Sequence, residues 1–139
     1  MILRIVFLSM LFQSHAFSQN CKEFDEGIFE GNAAGNKYTI ERHENFQLER
    51  MDSFGVLYLY KIEKISECEY FIKLDKVLSI GDLPAPNVDQ VIKVKITIAE
   101  NEKFYYEANL VGTEISLKGN YVKKSAFISD DFKKILENE

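Results

Sequence analysis

The feature of this sequence that most constrains its fold is an alternation of apolar and polar residues with a period of two. Its clearest run is Ile92-Lys93-Val94-Lys95-Ile96-Thr97-Ile98, in which the apolar side chains share one face. The same period recurs at residues 37–41, 46–49, 68–75, 103–110 and 114–118. This is the period of a β-strand with one face in a core and the other in water. The chain is therefore predicted to consist mainly of β-strands.

Residues that form tight turns separate these runs. Gly35-Asn36, Asp52-Ser53, Glu100-Asn101 and Val111-Gly112-Thr113 are such turn signals. The longest irregular stretch, residues 79–87, holds both prolines and is predicted to be a loop between strands. Short, regularly spaced strands joined by tight turns favour an all-β fold, an antiparallel up-and-down barrel of about eight strands. An open sandwich is the second possibility.

The carboxy-terminal residues predict a helix. Ser129-Asp130-Asp131 combines a capping residue with acids of a first turn, and Phe132–Leu136 supplies an apolar stripe at helical spacing. The strand predicted at residues 54–62 begins apolar on both faces, because Leu57 and Leu59 oppose its tyrosines. We expect something to cover the outer face of this strand, and the terminal helix is the candidate.

Residues 1–18 have the pattern of a secretory signal peptide. Arg4 provides a positive charge near the amino terminus, and residues 5–12 form a short apolar run. Ala16-Phe17-Ser18 then places small residues at the two positions that a signal peptidase reads. The protein is therefore expected to be secreted or periplasmic, with a single β-barrel domain over residues 19–139. Membrane contact is expected only through the signal peptide before its cleavage.

Two alternatives to ordinary cleavage remain at this end of the chain. One is a membrane anchor or a buried strand, although the apolar run stops well short of the roughly 20 residues that span a bilayer. The other is lipidation of Cys21, although Ser18-Gln19-Asn20 lacks the small residue that precedes a lipoprotein cysteine.

The charge balance excludes one class of partner. The whole chain has 22 acidic and 17 basic residues, and one of the basic residues is Arg4, so the mature domain carries a net charge of −6. Nucleic-acid phosphates attract basic surfaces, and an acidic domain is a poor match for them. No nucleic-acid partner is therefore predicted.

The chain has two cysteines, Cys21 and Cys68, and both belong to the mature domain. An even number of cysteines in an exported chain predicts a disulfide. The alternatives are two independent thiols or a shared metal ion. A structural zinc site usually has four ligands from cysteine and histidine. The mature domain offers only the two cysteines and one histidine.

Candidate catalytic residues are few. The mature domain has one histidine, His43, in a predicted turn where a solvated side chain is expected. Carboxylates such as Glu41 and Glu49 take outward positions of their strands, and we interpret them as solvated. The sequence contains neither a Gly-x-Ser-x-Gly motif nor a phosphate-binding loop. No enzyme activity, metal ion or cofactor is predicted.

Two arginines take inward positions in the predicted strands. Arg42 follows Tyr38 and Ile40 on the core-facing register, and Arg50 follows Leu48 in the same way. A buried anion must be paired, so an interior arginine and nearby hydroxyl groups would suit the polar head of a ligand. The alternative is that both arginines extend to a rim or pair with a glutamate. The candidate ligand-binding residues are Arg42, Arg50, Tyr58 and Tyr106.

The segment Gly27-Ile28-Phe29 leads into the antiparallel meander and the terminal helix, and this combination resembles the calycin group. That group includes the lipocalins and the fatty-acid-binding proteins. Lipocalins have Gly-x-Trp here, with the Trp plugging the closed end of the barrel, whereas this chain has Phe29 and no Trp. The resemblance implies a lipocalin-like barrel architecture.

A second resemblance covers most of the mature chain. It rests on Cys21-x-x-Phe24-x-x-Gly27-x-Phe29, Ile40-x-Arg42, Gln47-x-Glu49 and Cys68-x-Tyr70. This pattern is similar to that of a group of small exported proteins from flavobacteria and their relatives, which has no established activity. Some members carry the name DNA topoisomerase IV. A small acidic exported domain has neither the size nor the charge of a strand-passing enzyme.

These observations favour a non-enzymatic domain that binds a small apolar or amphipathic ligand inside the barrel. Arg42 or Arg50, together with nearby tyrosines, is expected to meet the polar head of that ligand. The alternative is a filled barrel that acts as an envelope or protein-interaction module, for which the outer face around Leu57 and Leu59 is the candidate surface. The sequence identifies no particular protein partner.

Overall fold

The structure, a computed structural model, describes residues 20–139. The signal peptide expected at residues 1–18 lies outside the described residues. Eight strands and one α-helix follow a short 3-10 helix at Cys21–Phe24. In chain order they are β1 (Gly27–Ala33), β2 (Asn36–His43), β3 (Phe46–Met51), β4 (Val56–Lys64), β5 (Glu69–Ser79), β6 (Val91–Glu100), β7 (Lys103–Leu110), β8 (Ser116–Ser125) and α1 (Asp130–Glu137).

The strands form a closed antiparallel barrel, as predicted. Each strand pairs with the next one in the chain, and β8 pairs back with β1, so the described residues follow an up-and-down meander. The 3-10 helix precedes β1 at one end, which we call the closed end. The loops at residues 34–35, 52–55, 80–90 and 111–115 lie at the other end, which we call the mouth.

Aromatic rings fill the closed end. Phe24 of the 3-10 helix is buried, and its ring centroid lies 4.6 Å from that of Phe29 and 5.0 Å from that of Phe104. The Cys21–Cys68 disulfide joins the 3-10 helix to the loop before β5, as the sequence predicted. The Phe24 plug is thereby held against the strands it covers.

The carboxy-terminal helix covers the outer wall of β3 and β4. Phe132 is fully buried and packs with Leu48 and Leu59, and partly buried Leu57 adds to this cluster. The expectation that the helix covers the two-sided apolar strand is confirmed. This external layer is separate from the aromatic core inside the barrel.

Glu41 holds the beginning of α1 to the barrel. Its carboxylate accepts hydrogen bonds from the Ser129 backbone N–H at 2.6 Å and from the Ser129 hydroxyl at 2.9 Å. The Ser129 hydroxyl in turn accepts from the Phe132 N–H, which confirms the predicted cap. The expectation that Glu41 is solvated is wrong, because α1 covers its outward position and leaves it 3 % exposed.

The register of β3 is the opposite of the predicted one. Glu49 pairs with Ile40, and Gln47 with Arg42. Directly paired residues share one face of a sheet, and Ile40 and Arg42 are buried inside the barrel. Glu49 and Gln47 therefore face inward, whereas Leu48 faces outward beneath α1. The apolar residues of β3 point away from the interior because the helix supplies a second apolar layer outside the barrel.

A bulge changes the register of β6. Ile96 pairs with Tyr106, whereas Ile98 pairs with Tyr105, so one residue is inserted between them. Ile98 is 48 % exposed, although the alternation predicted it on the same face as Ile96.

Among residues 20–139, no helix is long and apolar enough to cross a membrane.

Candidate functional site

A cavity of about 290 Å³ lies inside the barrel near the mouth. Ligand pockets in proteins are commonly about 300–1,000 Å³, so this cavity lies at the small end of that range. Its described lining residues come from β1 to β8 and the first hairpin: Ala33, Ala34, Asn36, Tyr38, Glu49, Met51, Tyr60, Ile72, Ile92, Val94, Tyr106, Ala108, Leu117 and Tyr121. Leu117, close to the loop that precedes β8 at the mouth, is 43 % exposed.

Two glycines make room for the tyrosine side chains on the floor of the cavity. A Cβ atom on Gly31 would lie 2.6 Å from the Tyr38 ring, and one on Gly119 would lie 2.4 Å from the Tyr106 hydroxyl. Gly31 pairs with Tyr38 and also with Tyr121, while Gly119 pairs with Tyr106. A side chain at either glycine position would occupy the space that these rings fill.

The tyrosines form a connected cluster. The Tyr38 and Tyr106 hydroxyls are hydrogen-bonded to each other. The Tyr106 ring stacks on Tyr121 with centroids 4.6 Å apart, and the Tyr38 ring meets Tyr121 edge-on at 5.6 Å. Such ring pairs contribute about 0.5–1.5 kcal/mol beyond simple burial. Mutual packing therefore holds the polar floor of the cavity in place.

Glu49 is the ionisable acid among the described residues that line the cavity. Its side chain is partly buried and lies in the cavity wall. Burial raises the pKa of Glu49 from 4.5 to about 7. In the described part of the chain, no basic side chain lies within 4 Å of it. The cavity thus contains an acid whose charge changes near neutral pH.

Burial also raises the pKa of the tyrosine hydroxyls around Glu49. The pKa values of Tyr38, Tyr60 and Tyr121 all lie above the ordinary value of 10. These hydroxyls are therefore protonated at neutral pH and are able to donate hydrogen bonds as well as accept them. The cavity combines one acid with neutral hydroxyl groups and apolar walls.

Neither a protein-family model, nor a curated protein, nor a solved structure matches this chain. The barrel architecture stands on the strand pairing alone. The resemblances to the calycins and to the flavobacterial group stay predictions. What the site does is inferred below from its own geometry and chemistry.

Arg42 lies in the closed end and not at the cavity. Its guanidinium carbon is 4.4 Å from the centroid of the Phe24 ring and 4.2 Å from that of the Tyr70 ring. The side chain is 1 % exposed, and its Nε and Nη1 atoms have no hydrogen-bond partner among the described residues. The inward position is confirmed, but the geometry assigns Arg42 a packing role in the plug.

Arg50 lies on the outside of the barrel, so its predicted inward position is wrong. It pairs with Thr39, which alternates with the inward residues Tyr38 and Ile40. Its nearest acid is Asp52, with the Arg50 Nε atom 3.9 Å from a carboxylate oxygen. The prediction followed Leu48, and Leu48 is buried by α1 and not by the barrel interior.

The two predicted tyrosines occupy different places. Tyr106 lines the cavity and belongs to its hydroxyl cluster. Tyr58 is buried on the inward face beside Tyr60, with ring centroids 6.3 Å apart, and it is Tyr60 that reaches the cavity. The structure thus brings one of the four candidate residues, Tyr106, to the cavity wall.

Sequence reasoning missed Glu49 as an interior group. The alternation along β3 places Glu49 on the face opposite to that of Phe46 and Leu48. It does not show which of the two faces is the interior of the barrel. The amphipathic helix at the carboxy terminus could have indicated the correct face. A helix that packs on β3 and β4 requires apolar side chains on the outer wall of these strands. With that wall assigned to Leu48 and Leu59, Glu49 falls inside.

The titratable groups among the described residues that line the cavity are Glu49 and the tyrosines. A glycosidase-type mechanism needs two carboxyl groups, and Glu49 is the single one among the described lining residues. His43 lies near the closed end, where it is hydrogen-bonded to Glu26 at 2.6 Å. Within residues 20–139, no group of three or more histidine, cysteine and acidic side chains is arranged to hold a metal ion.

Three larger depressions lie on the outer surface, and one of them, of about 430 Å³, lies beside Arg50 and Asp52. Another, of about 920 Å³, follows the outer wall beside Lys61 and Phe71, and the third, of about 470 Å³, lies between α1 and His43. The carboxyl and basic groups in all three lie at the surface of the protein. The interior cavity differs because its carboxyl group, that of Glu49, lies inside the barrel among tyrosine hydroxyl groups.

Proposed function

We propose that this protein is an exported, non-enzymatic β-barrel that binds a small apolar or amphipathic ligand in the mouth cavity. The observation that carries the proposal is a barrel plugged at one end by Phe24 and open at the other. Its interior has apolar walls and a convergent polar group, which is the usual composition of a small-molecule site. No nucleic acid, metal ion or cofactor has a part in the proposal.

The rim of the mouth supports an apolar or amphipathic ligand. Val88, Val111 and Ile115, in the loops at this end, are 57 %, 52 % and 64 % exposed. All three residues belong to the loops of the mouth, through which a ligand would enter. An apolar ligand would therefore meet a compatible surface before it enters the cavity.

The disulfide and the expected signal peptide both support an exported location. The Cys21–Cys68 disulfide agrees with an oxidising environment, such as the periplasm or the outside of the cell. We propose export by residues 1–18 and release of the domain. A lipid anchor on Cys21 is not compatible with the disulfide, because the same sulfur atom would have to form both bonds.

The alternative function, an interaction module, is no longer supported by the apolar outer face of β4. The apolar outer face around Leu57 and Leu59 is packed against α1 and is not available to a partner. The exposure of Phe127 still favours a protein contact, because this side chain is 79 % exposed beside the depression between α1 and His43. A single exposed ring is weaker support for a binding function than a cavity inside the barrel.

A cavity-filling variant tests the proposal. Ala108→Phe places a ring in the cavity, while Asn109→Phe places the same ring on the outer face one residue further along β7. Native mass spectrometry of protein purified from its own host should show a small bound mass in the wild type and in Asn109→Phe. The Ala108→Phe variant should lack it. A wild-type protein without a bound mass, or equal occupancy in both variants, contradicts the proposal.

A further inference from the structure

We infer that the ligand carries a protonated amine, which pairs with the Glu49 carboxylate among the tyrosines of the cavity. The inference rests on the proposed function and assigns it a chemical class of ligand. It also reverses the expectation from the sequence, in which arginines were to meet an acidic head group. The cavity wall presents an acid, and the two candidate arginines lie elsewhere.

The first argument is the charge balance around Glu49. The inward groups that face it are Tyr38 on β2, Tyr58 and Tyr60 on β4, Tyr106 on β7 and Tyr121 on β8. The walls from β5 and β6 are apolar there, with Ile72, Ile92 and Val94. Arg42 is the cation on the inward face of β2, and it lies between two rings in the plug. The Glu49 carboxylate is partly buried and has no cation within 4 Å among the described residues, and a charge that is shielded from water is stabilised by an opposite charge.

The second argument is the chemistry of the surrounding tyrosines. An ammonium group donates hydrogen bonds and accepts none, so it matches a carboxylate and the hydroxyl oxygens of Tyr38 and Tyr106. Aromatic faces also attract cations by about 0.5–2 kcal/mol. A carboxylate ligand would instead be repelled by ionised Glu49. The cavity thus favours a cationic head over an anionic one.

The third argument is size. A cavity of about 290 Å³ has the volume of about ten water molecules at roughly 30 Å³ each. The ligand is therefore a small amine with a short apolar body, and its body meets Ile72, Ile92 and Leu117. A long-chain lipid does not fit within this volume.

Three compounds of the same length but different head groups test the inference: hexylamine, hexanol and hexanoate. Isothermal titration at pH 8 keeps the amine protonated and Glu49 mostly ionised. We expect hexylamine to bind roughly 10- to 100-fold more tightly than hexanol, which is the usual range for a hydrogen bond to a charged group. Hexanoate should bind most weakly. Glu49→Gln should remove the preference for the amine and retain the affinity for hexanol.

Proton release provides a second measurement that needs no variant. At pH 6 Glu49 is mostly protonated, so an ammonium ligand must displace its proton, and nearly one proton should be released per amine bound. Titration in two buffers of different ionisation enthalpy measures that number. Hexanol should release none.

The outcomes separate the inference from the proposed function. If hexanol or hexanoate binds as tightly as hexylamine, and Ala108→Phe abolishes that binding, the cavity binds ligands but the amine assignment is wrong. If none of the three compounds binds to the wild type, both the inference and the proposed function are overturned. Amine binding that Glu49→Gln leaves unchanged overturns the role of Glu49.

Discussion

At the scale of single residues, the charge of Glu49 lowers the stability of the fold and at the same time offers a ligand a partner. Its side chain is partly buried in the cavity wall and lacks a basic partner within 4 Å among the described residues. The folded protein therefore disfavours the charged form, whereas the unfolded chain leaves it in water. A group that costs stability in this way is typical of a functional site.

The pH dependence of stability follows from that pKa. Below pH 4.5 Glu49 is protonated in both states, and its contribution is unaffected by pH. Between 4.5 and about 7 the unfolded chain loses the proton first, so folding stability falls as the pH rises. Each unit of difference between the two pKa values corresponds to 1.36 kcal/mol. Above pH 7 the ionisation of Glu49 therefore lowers the free energy of unfolding by at most about 3 kcal/mol.

Glu49→Gln should therefore stabilise the protein at pH 8 by up to about 3 kcal/mol and should have little effect at pH 4. Urea unfolding at pH 4, 6 and 8 measures both differences. Glu114→Gln, at an exposed position in the loop before β8, is the matched control and should change stability little at any of these pH values. A Glu49→Gln effect that is independent of pH would contradict the raised pKa.

At the scale of secondary-structure elements, α1 sets the orientation of β3 and β4. Its side chains pack against Leu48 and Leu59 on the outside, and Glu41 holds its first turn. The strands beneath it therefore have two apolar environments, the barrel interior and the helix contact. In such strands, alternation alone does not distinguish inside from outside.

Phe132→Ala should cost about 3–5 kcal/mol, because the ring is fully buried between the helix and the wall. Urea unfolding measures this loss. Lys134→Ala, on the exposed face of the same helix, is the control and should alter the free energy of unfolding by less than about 0.5 kcal/mol. Similar losses in the two variants would mean that α1 is only loosely attached to the barrel.

At the scale of the whole molecule, the disulfide links the plug to the barrel. Cys21 and Cys68 are 47 residues apart, and closing a loop of that length restricts the unfolded chain. The stabilisation expected from the chain-entropy model is about 4 kcal/mol. It applies to the whole domain because the loop spans β1 to β4.

The double variant Cys21→Ser/Cys68→Ser should therefore unfold at a lower urea concentration, with a loss of roughly 2–5 kcal/mol. Treatment of the wild type with dithiothreitol should produce a similar loss. The double variant serves as the control for the reductant, since its own unfolding should not respond to it. Equal stability of the oxidised and reduced wild type would show that the crosslink has no part in holding the fold.

Local residue patterns were sufficient for much of the architecture. The period of two located the strands, Ser129 and the acids after it located the helix, and the cysteine count predicted the disulfide. These features depend on neighbours in the chain, and the alternation of side chains along a strand is independent of the rest of the fold.

Only the tertiary structure decided which face of each strand is the interior, and thus which residues line the cavity. It placed Glu49 inside and Arg50 outside, because α1 buries the opposite face of β3. It also brought Tyr38 against Tyr106, although 68 residues separate them in the chain. Strand pairing and helix docking set such contacts, and both act between residues that are distant in sequence.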